Sequence, residues 1–176
     1  MKKQEILIAL GLLILALAGR FLPHLPDATP LTAVFIGSAL YLRQKWAILV
    51  PLLAVFFSDF FLGSYDWRMM ACVYGSWAFI GILSLFIKKY PGAISVGIMT
   101  ISSSLLFFLT TTFAVWAFSP WYAKSLAGLM YCYEMGVPFL RNMMIGDLIY
   151  VPLMVGVLAA FRSPARLRSY FASYAR

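Results

Sequence analysis

Charged side chains are scarce in this sequence. They make up 11% of the 176 residues, whereas 63% of the residues are hydrophobic. Soluble domains are typically about one quarter charged and about half apolar. A small folded domain still exposes much of its surface, so in water it has no place to bury this many apolar side chains. The composition excludes an ordinary soluble domain and predicts a single membrane-embedded domain with no soluble domain attached.

Motifs that bind nucleotides, metals or acyl groups are also absent. The sequence has one histidine and two cysteines, and it contains no GxxxxGK[ST], HExxH or GxSxG pattern. Its acids do not form a chain across the apolar segments, as a proton relay requires. These absences exclude an ATP-driven motor within the chain and predict no enzymatic activity and no cofactor. An enzyme would depend on one weak candidate pair, Asp59 with His24.

Acidic residues are outnumbered by basic ones, six to fourteen, which gives a formal net charge of +8. The basic residues come in pairs at the ends of apolar runs, a pattern typical of residues that orient a protein in a bilayer. They do not form a stripe along one polar face, as a nucleic-acid site requires. The charge pattern therefore favours membrane lipids as partners and excludes nucleic acid.

Long apolar runs predict an all-α integral membrane protein, a six-helix transmembrane bundle. A bilayer core about 30 Å thick requires roughly 20 helical residues. The predicted spans are 6–22, 28–42, 46–62, 69–87, 94–118 and 143–161. The second span is short and follows a proline-rich stretch, so five complete spans is the alternative. A short amphipathic helix is predicted at 124–135, between spans five and six, because Gly136 and Pro138 follow it.

The basic residues also predict the orientation of the chain. With six spans, one side receives Lys2, Lys3, Arg43, Lys45, Lys88, Lys89, Arg162, Arg166, Arg168 and Arg176, and the other receives Arg20, Arg68, Lys124 and Arg141. Loops rich in lysine and arginine stay in the cytoplasm. The pattern predicts a multi-pass protein of the bacterial cytoplasmic membrane with both termini in the cytoplasm.

Five of the six acids fall on the opposite, outward-facing side: Asp27, Asp59, Asp66, Glu134 and Asp147. Asp59 and Asp147 lie within the predicted spans, where an ionisable group costs a few kcal/mol unless it is paired or faces a wet cavity. Two interpretations stay open. The acids either contact a bound solute, or they form structural ion pairs such as Asp59 with Arg141.

Aromatic residues are dense near the same side, namely Tyr65, Trp67, Tyr74, Trp77, Trp116, Trp121, Tyr122, Tyr131 and Tyr133. An interfacial aromatic belt explains most of them, and a pocket that stacks a flat, partly polar ligand is the alternative. The predicted ligand-binding residues are Asp59, Asp147, Asn142, Arg141, His24, Trp67, Tyr74, Trp121 and Tyr133. No metal site is predicted, although Cys72 and Cys132 are weak candidates either for a soft metal or for a disulfide.

Several stretches carry a family resemblance. They are LPHLPDATP at 22–30, KW at 45–46 with VPLL at 50–53, SDFFLG at 58–63, YCY at 131–133, PF at 138–139, and RN at 141–142 with GDLIY at 146–150. Over residues 20–161 the chain resembles an uncharacterised family of six-span bacterial membrane proteins related to the S components of energy-coupling factor (ECF) transporters. The resemblance implies six helices around an outward-facing site for a vitamin or similar micronutrient. It also implies a separate coupling subunit and two ATPases as partners.

Two functions therefore compete. The first is a substrate-binding membrane subunit for micronutrient uptake, served by partners that supply energy. One departure from S components is that span one lacks their Ala-xxx-Ala docking pattern. The second is a structural or scaffolding membrane protein of envelope assembly, since the cell-shape protein MreD is similar in size and span number. If the protein is a scaffold, Asp59 and Asp147 are expected to be fully paired with other side chains, and no outward-facing cavity is expected.

Overall fold

The computed structural model of the protein describes residues 3–23, 25–63, 66–90 and 92–162. Within these ranges the chain forms six α-helices and no strand. The helices are α1 (Lys3–Phe21), α2 (Leu31–Tyr41), α3 (Gln44–Leu62), α4 (Trp67–Ser84), α5 (Ala93–Phe118) and α6 (Leu126–Arg162). A 3-10 turn at Leu85–Lys88 continues α4. The predicted all-helical fold with one helix for each apolar run is confirmed.

Five of the helices, all but α2, are long and apolar enough to cross a membrane. The α2 helix has 11 residues, so it is only about 16 Å long and is shorter than a bilayer core of about 30 Å. Of the two predicted counts, five complete spans fits the helix lengths. Large apolar side chains cover the surface, as at Phe60, Ile94 and Phe161, which are 78%, 80% and 77% exposed. This surface is compatible with a multi-pass membrane protein.

The short helix α2 lies at the centre of the bundle. It packs against each of the other five helices. Nine of its eleven residues are buried, which explains why its sequence is apolar on every side. Gly37 makes this packing close, since a Cβ there would lie 3.1 Å from Leu158 and 3.3 Å from Leu12. The other helices are therefore arranged around α2.

Aromatic rings from three helices stack in the core. The ring of Phe35 on α2 lies parallel to that of Trp77 on α4 with centroids 5.0 Å apart, and Trp77 contacts Phe107 on α5 at 4.6 Å. Stacked and tilted rings at these distances add to the stabilisation from their buried area. Trp77 is 3% exposed, so it belongs to the core and not to the aromatic layer in which the sequence placed it.

Local sequence explains where several helices begin and end. Asp66 caps α4, because its carboxylate accepts hydrogen bonds from the backbone N–H groups of Arg68 and Met69 at 2.9 and 3.3 Å. Gly63 ends α3 with φ 105°, a left-handed conformation that favours glycine. Pro51 lies inside α3, which continues through it, as neighbouring helices permit in a tightly packed bundle.

The predicted break between a short helix at 124–135 and a span at 143–161 is wrong. One continuous helix, α6, runs from Leu126 to Arg162 and includes Pro138 and Pro152. Gly136 does not end a helix. It faces α5, where a Cβ at this position would lie 2.8 Å from a ring carbon of Phe108. It allows α5 and α6 to approach closely. With 37 residues, α6 is about 55 Å long and exceeds the bilayer core.

The two ends of the bundle differ in charge. Consecutive helices pack against one another and alternate in direction, so the connections after α2 and α4 share one end with Lys3, and those after α1, α3 and α5 share the other. The first end carries Lys3, Arg43, Lys45, Lys88 and Lys89 with one acid, Glu5, whereas the second carries the acids Asp27, Asp59 and Asp66 together with Arg20, Arg68 and Lys124. We call them the basic end and the acidic end.

Candidate functional site

Asp59 lies in a complete hydrogen-bonded network near the acidic end. The guanidinium of Arg20, in the last turn of α1, donates to Oδ1 at 2.7 Å, and the hydroxyl of Tyr74 on α4 donates to Oδ2 at 2.9 Å. Asp59 is 5% exposed. Both carboxylate oxygens therefore have a partner, and the network joins α1, α3 and α4. An ion pair of this kind acts as a helix clamp.

The expected pair of Asp59 with Arg141 is wrong. Arg141 lies on α6 and is exposed, whereas α3 packs on α1, α2 and α4. The central helix α2 therefore separates the two side chains, and the cation nearest in space to Asp59 comes from α1. Tyr74, which the sequence also predicted as a ligand-binding residue, contacts Asp59 directly.

Asp147 is more deeply buried than Asp59, and its neighbours come from two other helices. Its side chain on α6 is 1% exposed, and Oδ2 accepts a hydrogen bond from Ser104 of α5 at 2.7 Å. The hydroxyl of Thr32 on α2 adjoins the carboxylate, and neither this hydroxyl nor Oδ1 has another hydrogen-bond partner among the described residues. A buried polar atom without a partner costs about 1–3 kcal/mol. Thr32 is therefore the natural donor to Oδ1, and Asp147 faces both α5 and α2 from α6.

Two close contacts place the segment before α2 above Asp147. Gly146 precedes the acid, and a Cβ at this glycine would lie 3.1 Å from the backbone of Ala28. Gly19 of α1 faces Pro30, whose ring atoms lie 2.3 Å from the position of a Cβ. Both Ala28 and Pro30 are buried. The chain thus enters the bundle between α1 and α6 and delivers Thr32 to the level of Asp147.

A cavity of about 340 Å³ lies between α5 and α6 in the half of the bundle near the acidic end. Its walls include Phe107, Phe108 and Thr111 of α5 and Met135, Phe139 and Met143 of α6. Trp121 and Tyr122 of the α5–α6 connection and Asp27 of the α1–α2 connection also line it. Ligand pockets of about 300–1,000 Å³ with mainly apolar walls and few polar groups are typical of small-molecule sites.

The cavity and Asp147 are neighbours along both helices. Phe107 lies three residues after Ser104, and Met143 lies four residues before Asp147, so each pair shares one face of its helix. Phe107 and Met143 line the cavity, and the hydrogen bond between Ser104 and Asp147 joins α5 to α6 one turn further on. Asp147 itself does not line the cavity, and it lies about one turn of α6 beyond Met143.

Hydrogen bonds hold the connection of α5 to α6 over the cavity. The indole N–H of Trp116 donates to the carbonyl of Ala123 at 2.9 Å. The ammonium of Lys124 donates to the carbonyl of Ser119 at 2.7 Å and also to that of Trp116. These bonds close residues 119–125 into a compact loop. Trp121 and Tyr122 are thereby held at the mouth of the cavity.

The predicted ligand-binding residues do not converge on one pocket. Trp121 lines the cavity, and Asp147 lies below it. Tyr133 lies next to the cavity, with its hydroxyl donating to the carbonyl of Leu109 at 2.7 Å. Asp59 and Tyr74 form the separate network described above, and Trp67, Asn142 and Arg141 do not line the cavity. His24 lies outside the described residues.

Several cavity residues were missed by the sequence reasoning. Phe107, Thr111 and Phe139 line the cavity, and Ser104 donates a hydrogen bond to Asp147. A signal was available, because Ser102–Ser104 and Thr110–Thr112 place two runs of hydroxyls on the otherwise apolar α5. Hydroxyls on such a helix hydrogen-bond its own carbonyls, as Thr111 does with Phe107 at 2.7 Å, so they are inconspicuous in a search for acids and aromatics.

The disulfide for which Cys72 and Cys132 were candidates does not form, because both thiols are free. Cys132 is buried between α6 and α5 and contacts the carbonyl of Thr112 at 3.6 Å. Cys72 lies on the other flank of α5, in a groove between α4 and α5 that Thr110 also lines. The described residues contain no group of three or more histidine, cysteine or acidic side chains placed to hold a metal ion.

Comparison with known proteins identifies one family. A family model described as a family of unknown function (DUF6580) matches residues 1–169, a range that includes α1 as well as the stretches on which the sequence resemblance depends. No curated protein and no solved structure matches the chain. The kinship with ECF S components stays a prediction. Since the match extends over nearly the whole sequence, the chain belongs to the DUF6580 family.

Proposed function

We propose that this protein is a substrate-binding membrane subunit for uptake of a vitamin or similar micronutrient. The observation that carries the proposal is the aromatic-walled cavity of about 340 Å³ between α5 and α6. A cavity of this size suits a small organic molecule. Such a hollow serves no purpose in a purely structural bundle, where close packing is the more stable arrangement.

In this proposal the protein lies in the bacterial cytoplasmic membrane with its acidic end outward. Supporting this, Arg43, Lys45, Lys88 and Lys89 lie at the basic end, where the positive-inside rule expects cytoplasmic loops. The cavity then lies in the outward-facing half of the bundle, within reach of a solute arriving from outside. Trp121 and Tyr122 at its mouth suit the membrane–water boundary, where such side chains are enriched.

Transport by this subunit requires partners. The sequence contains no GxxxxGK[ST] motif, so a nucleotide-driven step belongs to other chains. The sequence resemblance to S components supports a coupling subunit and two ATPases in that role. The lipid-facing surfaces of the bundle offer room for a transmembrane partner, since its outer side chains are largely apolar.

The test is recovery of a bound solute from the purified protein. Protein extracted from its native membrane in mild detergent is expected to retain one small molecule, seen by native mass spectrometry and identified after denaturation. Thr111→Phe places a ring in the cavity and is expected to remove the solute. Ser102→Phe is the matched control, since it adds the same ring at an exposed position of α5 and is expected to leave the solute in place.

Two results would count against the binding proposal. One is wild-type protein that emerges without a solute and whose unfolding temperature no vitamin raises, because a ligand that binds the folded state stabilises it. The other is equal retention of a solute by Thr111→Phe and wild type. The first result indicates that the protein binds no such solute, and the second indicates a solute that does not occupy the cavity.

A scaffold of envelope assembly is the second candidate function. It is favoured by Asp59, whose two oxygens are both hydrogen-bonded, as expected of an ion pair that only joins helices. Crosslinking in intact cells separates the candidates. If the protein serves uptake, transport ATPases and a coupling subunit are expected among the crosslinked partners. If it is a scaffold, enzymes of wall synthesis are expected instead.

A further inference from the structure

One hydroxyl in the wall of the cavity between α5 and α6 has no hydrogen-bond partner among the described residues. It belongs to Thr112, which lines the cavity and is 9% exposed. The thiol of Cys132 contacts the backbone carbonyl of Thr112 and not its hydroxyl. A buried hydroxyl without a partner is costly, so Thr112 has a hydrogen-bonding capacity that a bound molecule could use.

Gly136 on α6 leaves space beside this hydroxyl. A Cβ at Gly136 would lie 2.8 Å from a ring carbon of Phe108 and 3.4 Å from Oγ1 of Thr112, and all three residues line the cavity. Phe108 and Thr112 are four residues apart, so the ring and the hydroxyl lie on one face of α5. The cavity therefore presents an aromatic ring and a hydroxyl side by side.

The other polar side chains inside the cavity wall already have partners. The hydroxyl of Thr111 donates to a carbonyl of its own helix at 2.7 Å. The thiol of Cys132 lies 3.6 Å from the carbonyl of Thr112, and the hydroxyl of Tyr122 adjoins this thiol. Trp121 is 75% exposed at the mouth, where water reaches it. Within the described wall, the hydroxyl of Thr112 is therefore the group best placed to bind a polar atom of a guest.

Within the described residues, the cavity wall supplies no buried counter-charge. No lysine or arginine occurs among these lining residues. The acid among them, Asp27, is exposed and has an interaction of its own within the protein. A charged guest would leave water without gaining an ion pair, which is costly for cations and anions alike. A neutral molecule avoids this cost, so the wall favours a guest without net charge.

Two aromatic rings of the wall are supported from outside the cavity. The ring of Phe107 contacts Trp77 of the core at a centroid distance of 4.6 Å, and that of Phe108 packs edge-on against Tyr133 at 5.7 Å. Neither Trp77 nor Tyr133 lines the cavity. Aromatic rings held in place in this way stack well on flat molecules, so the wall favours a planar guest.

We infer that the solute of the proposed uptake function is a neutral, flat aromatic molecule, one polar group of which hydrogen-bonds to the hydroxyl of Thr112. The inference rests on the proposed function and adds the chemical class of its ligand and a residue that orients it. The rings of Phe107 and Phe108 hold the flat part of the molecule. Because a hydroxyl can both donate and accept, an alcohol, an amide or a ring nitrogen suits Thr112.

The test compares four naphthalenes that differ in one substituent, on the full-length protein in detergent. They are 2-naphthol, which is neutral and carries a hydroxyl, 2-methylnaphthalene, which is neutral and cannot hydrogen-bond, 2-naphthoate, which is an anion, and 2-naphthylmethylamine, which is a cation at neutral pH. Isothermal titration, corrected with protein-free micelles, gives their dissociation constants. We expect 2-naphthol to bind at least about tenfold more tightly than either ion, because an ion loses its water without gaining a counter-charge.

Thr112→Val and Thr110→Val form the matched pair of variants. Valine has the shape of threonine without the hydroxyl, so Thr112→Val is expected to weaken the binding of 2-naphthol about fivefold and to leave that of 2-methylnaphthalene unchanged. Thr110→Val makes the same change on the flank of α5 that faces α4, where the Thr110 hydroxyl lies 2.6 Å from that of Ser76, and is expected to leave both affinities unchanged. Thr112→Ser keeps a hydroxyl and is expected to bind 2-naphthol nearly as well as wild type.

Failure of this inference and failure of the proposed function give different results. Binding of either ion as tightly as 2-naphthol overturns the neutral assignment and leaves solute binding intact. Equal weakening of 2-naphthol and 2-methylnaphthalene by Thr112→Val, or weakening of neither, overturns the role of Thr112, and Thr112→Ala takes its place if Thr112→Val does not fold. If none of the probes binds, the inference is likewise wrong, and the uptake function is then judged by the solute that the purified protein retains and by Thr111→Phe.

Discussion

At the scale of single residues, Asp59 and Asp147 show how one residue type takes two roles in similar sequence surroundings. Both lie inside apolar helices and are at most 5% exposed. Both oxygens of Asp59 are bonded by Arg20 and Tyr74, whereas Asp147 accepts from Ser104 and adjoins Thr32. Arg20 and Ser104 lie 39 and 43 residues from the acids that they contact, so only the packing of the helices decides which partners each acid receives.

Removing Arg20 is expected to destabilise the fold. Arg20→Ala leaves the carboxylate of Asp59 buried without its cation, which costs about 3 kcal/mol. Arg141→Ala is the control, because Arg141 is exposed on α6 and its loss is expected to change stability by no more than about 0.5 kcal/mol. Unfolding in detergent, followed by circular dichroism, measures both. Equal stability of the two variants would contradict the clamp formed by α1 and α3.

At the scale of elements, α2 and the segment before it organise the molecule. The helix contacts all five others, and Gly19 and Gly146 admit Pro30 and Ala28 at close range. The sequence indicated an irregular second span from its prolines and its length. It did not indicate that this shortest helix lies at the centre of the bundle. An apolar run of 11 residues has the same sequence pattern in a buried core helix and in an incomplete membrane span.

Two glycines of α1 provide a matched test of how the segment before α2 packs against α1. A Cβ at Gly19 would lie 2.3 Å from Pro30, whereas Gly11 has no neighbour within 4 Å of a Cβ. Gly19→Ala is expected to cost about 1–3 kcal/mol through overpacking. Gly11→Ala is expected to stabilise the protein by up to about 1 kcal/mol, since alanine is the better helix former. Thermal unfolding compares them, and a neutral Gly19→Ala would show that Pro30 does not pack there.

At the scale of the whole molecule, charge separation and the cavity together support an outward-facing binding site. Basic side chains gather at one end, and the cavity lies in the half near the other. Charged residues at the ends of membrane helices set orientation during insertion. Orientation therefore decides whether the cavity faces incoming solute or the cytoplasm.

Cysteine labelling tests the orientation. In a chain with Cys72 and Cys132 replaced by alanine, single cysteines are introduced as Trp121→Cys at the acidic end and Lys89→Cys at the basic end. A membrane-impermeant maleimide added to cells with a permeabilised outer envelope is expected to label the first, and to label the second only after lysis. Labelling of Lys89→Cys in intact cells would reverse the orientation and place the cavity in the inner half.

Composition and the order of charges were enough to predict an all-helical chain, the positions of α1 to α5 to within a few residues, and the two unlike ends. These properties follow from hydrophobicity summed along short stretches of chain, which is a local quantity. Three-dimensional packing alone decided that α6 is continuous, that α2 is central, that Asp59 pairs with Arg20, and that aromatic residues of α5 and α6 enclose a cavity above Asp147. Each of these depends on contacts between segments far apart in sequence, and the identity of neighbouring side chains becomes defined only when the helices pack.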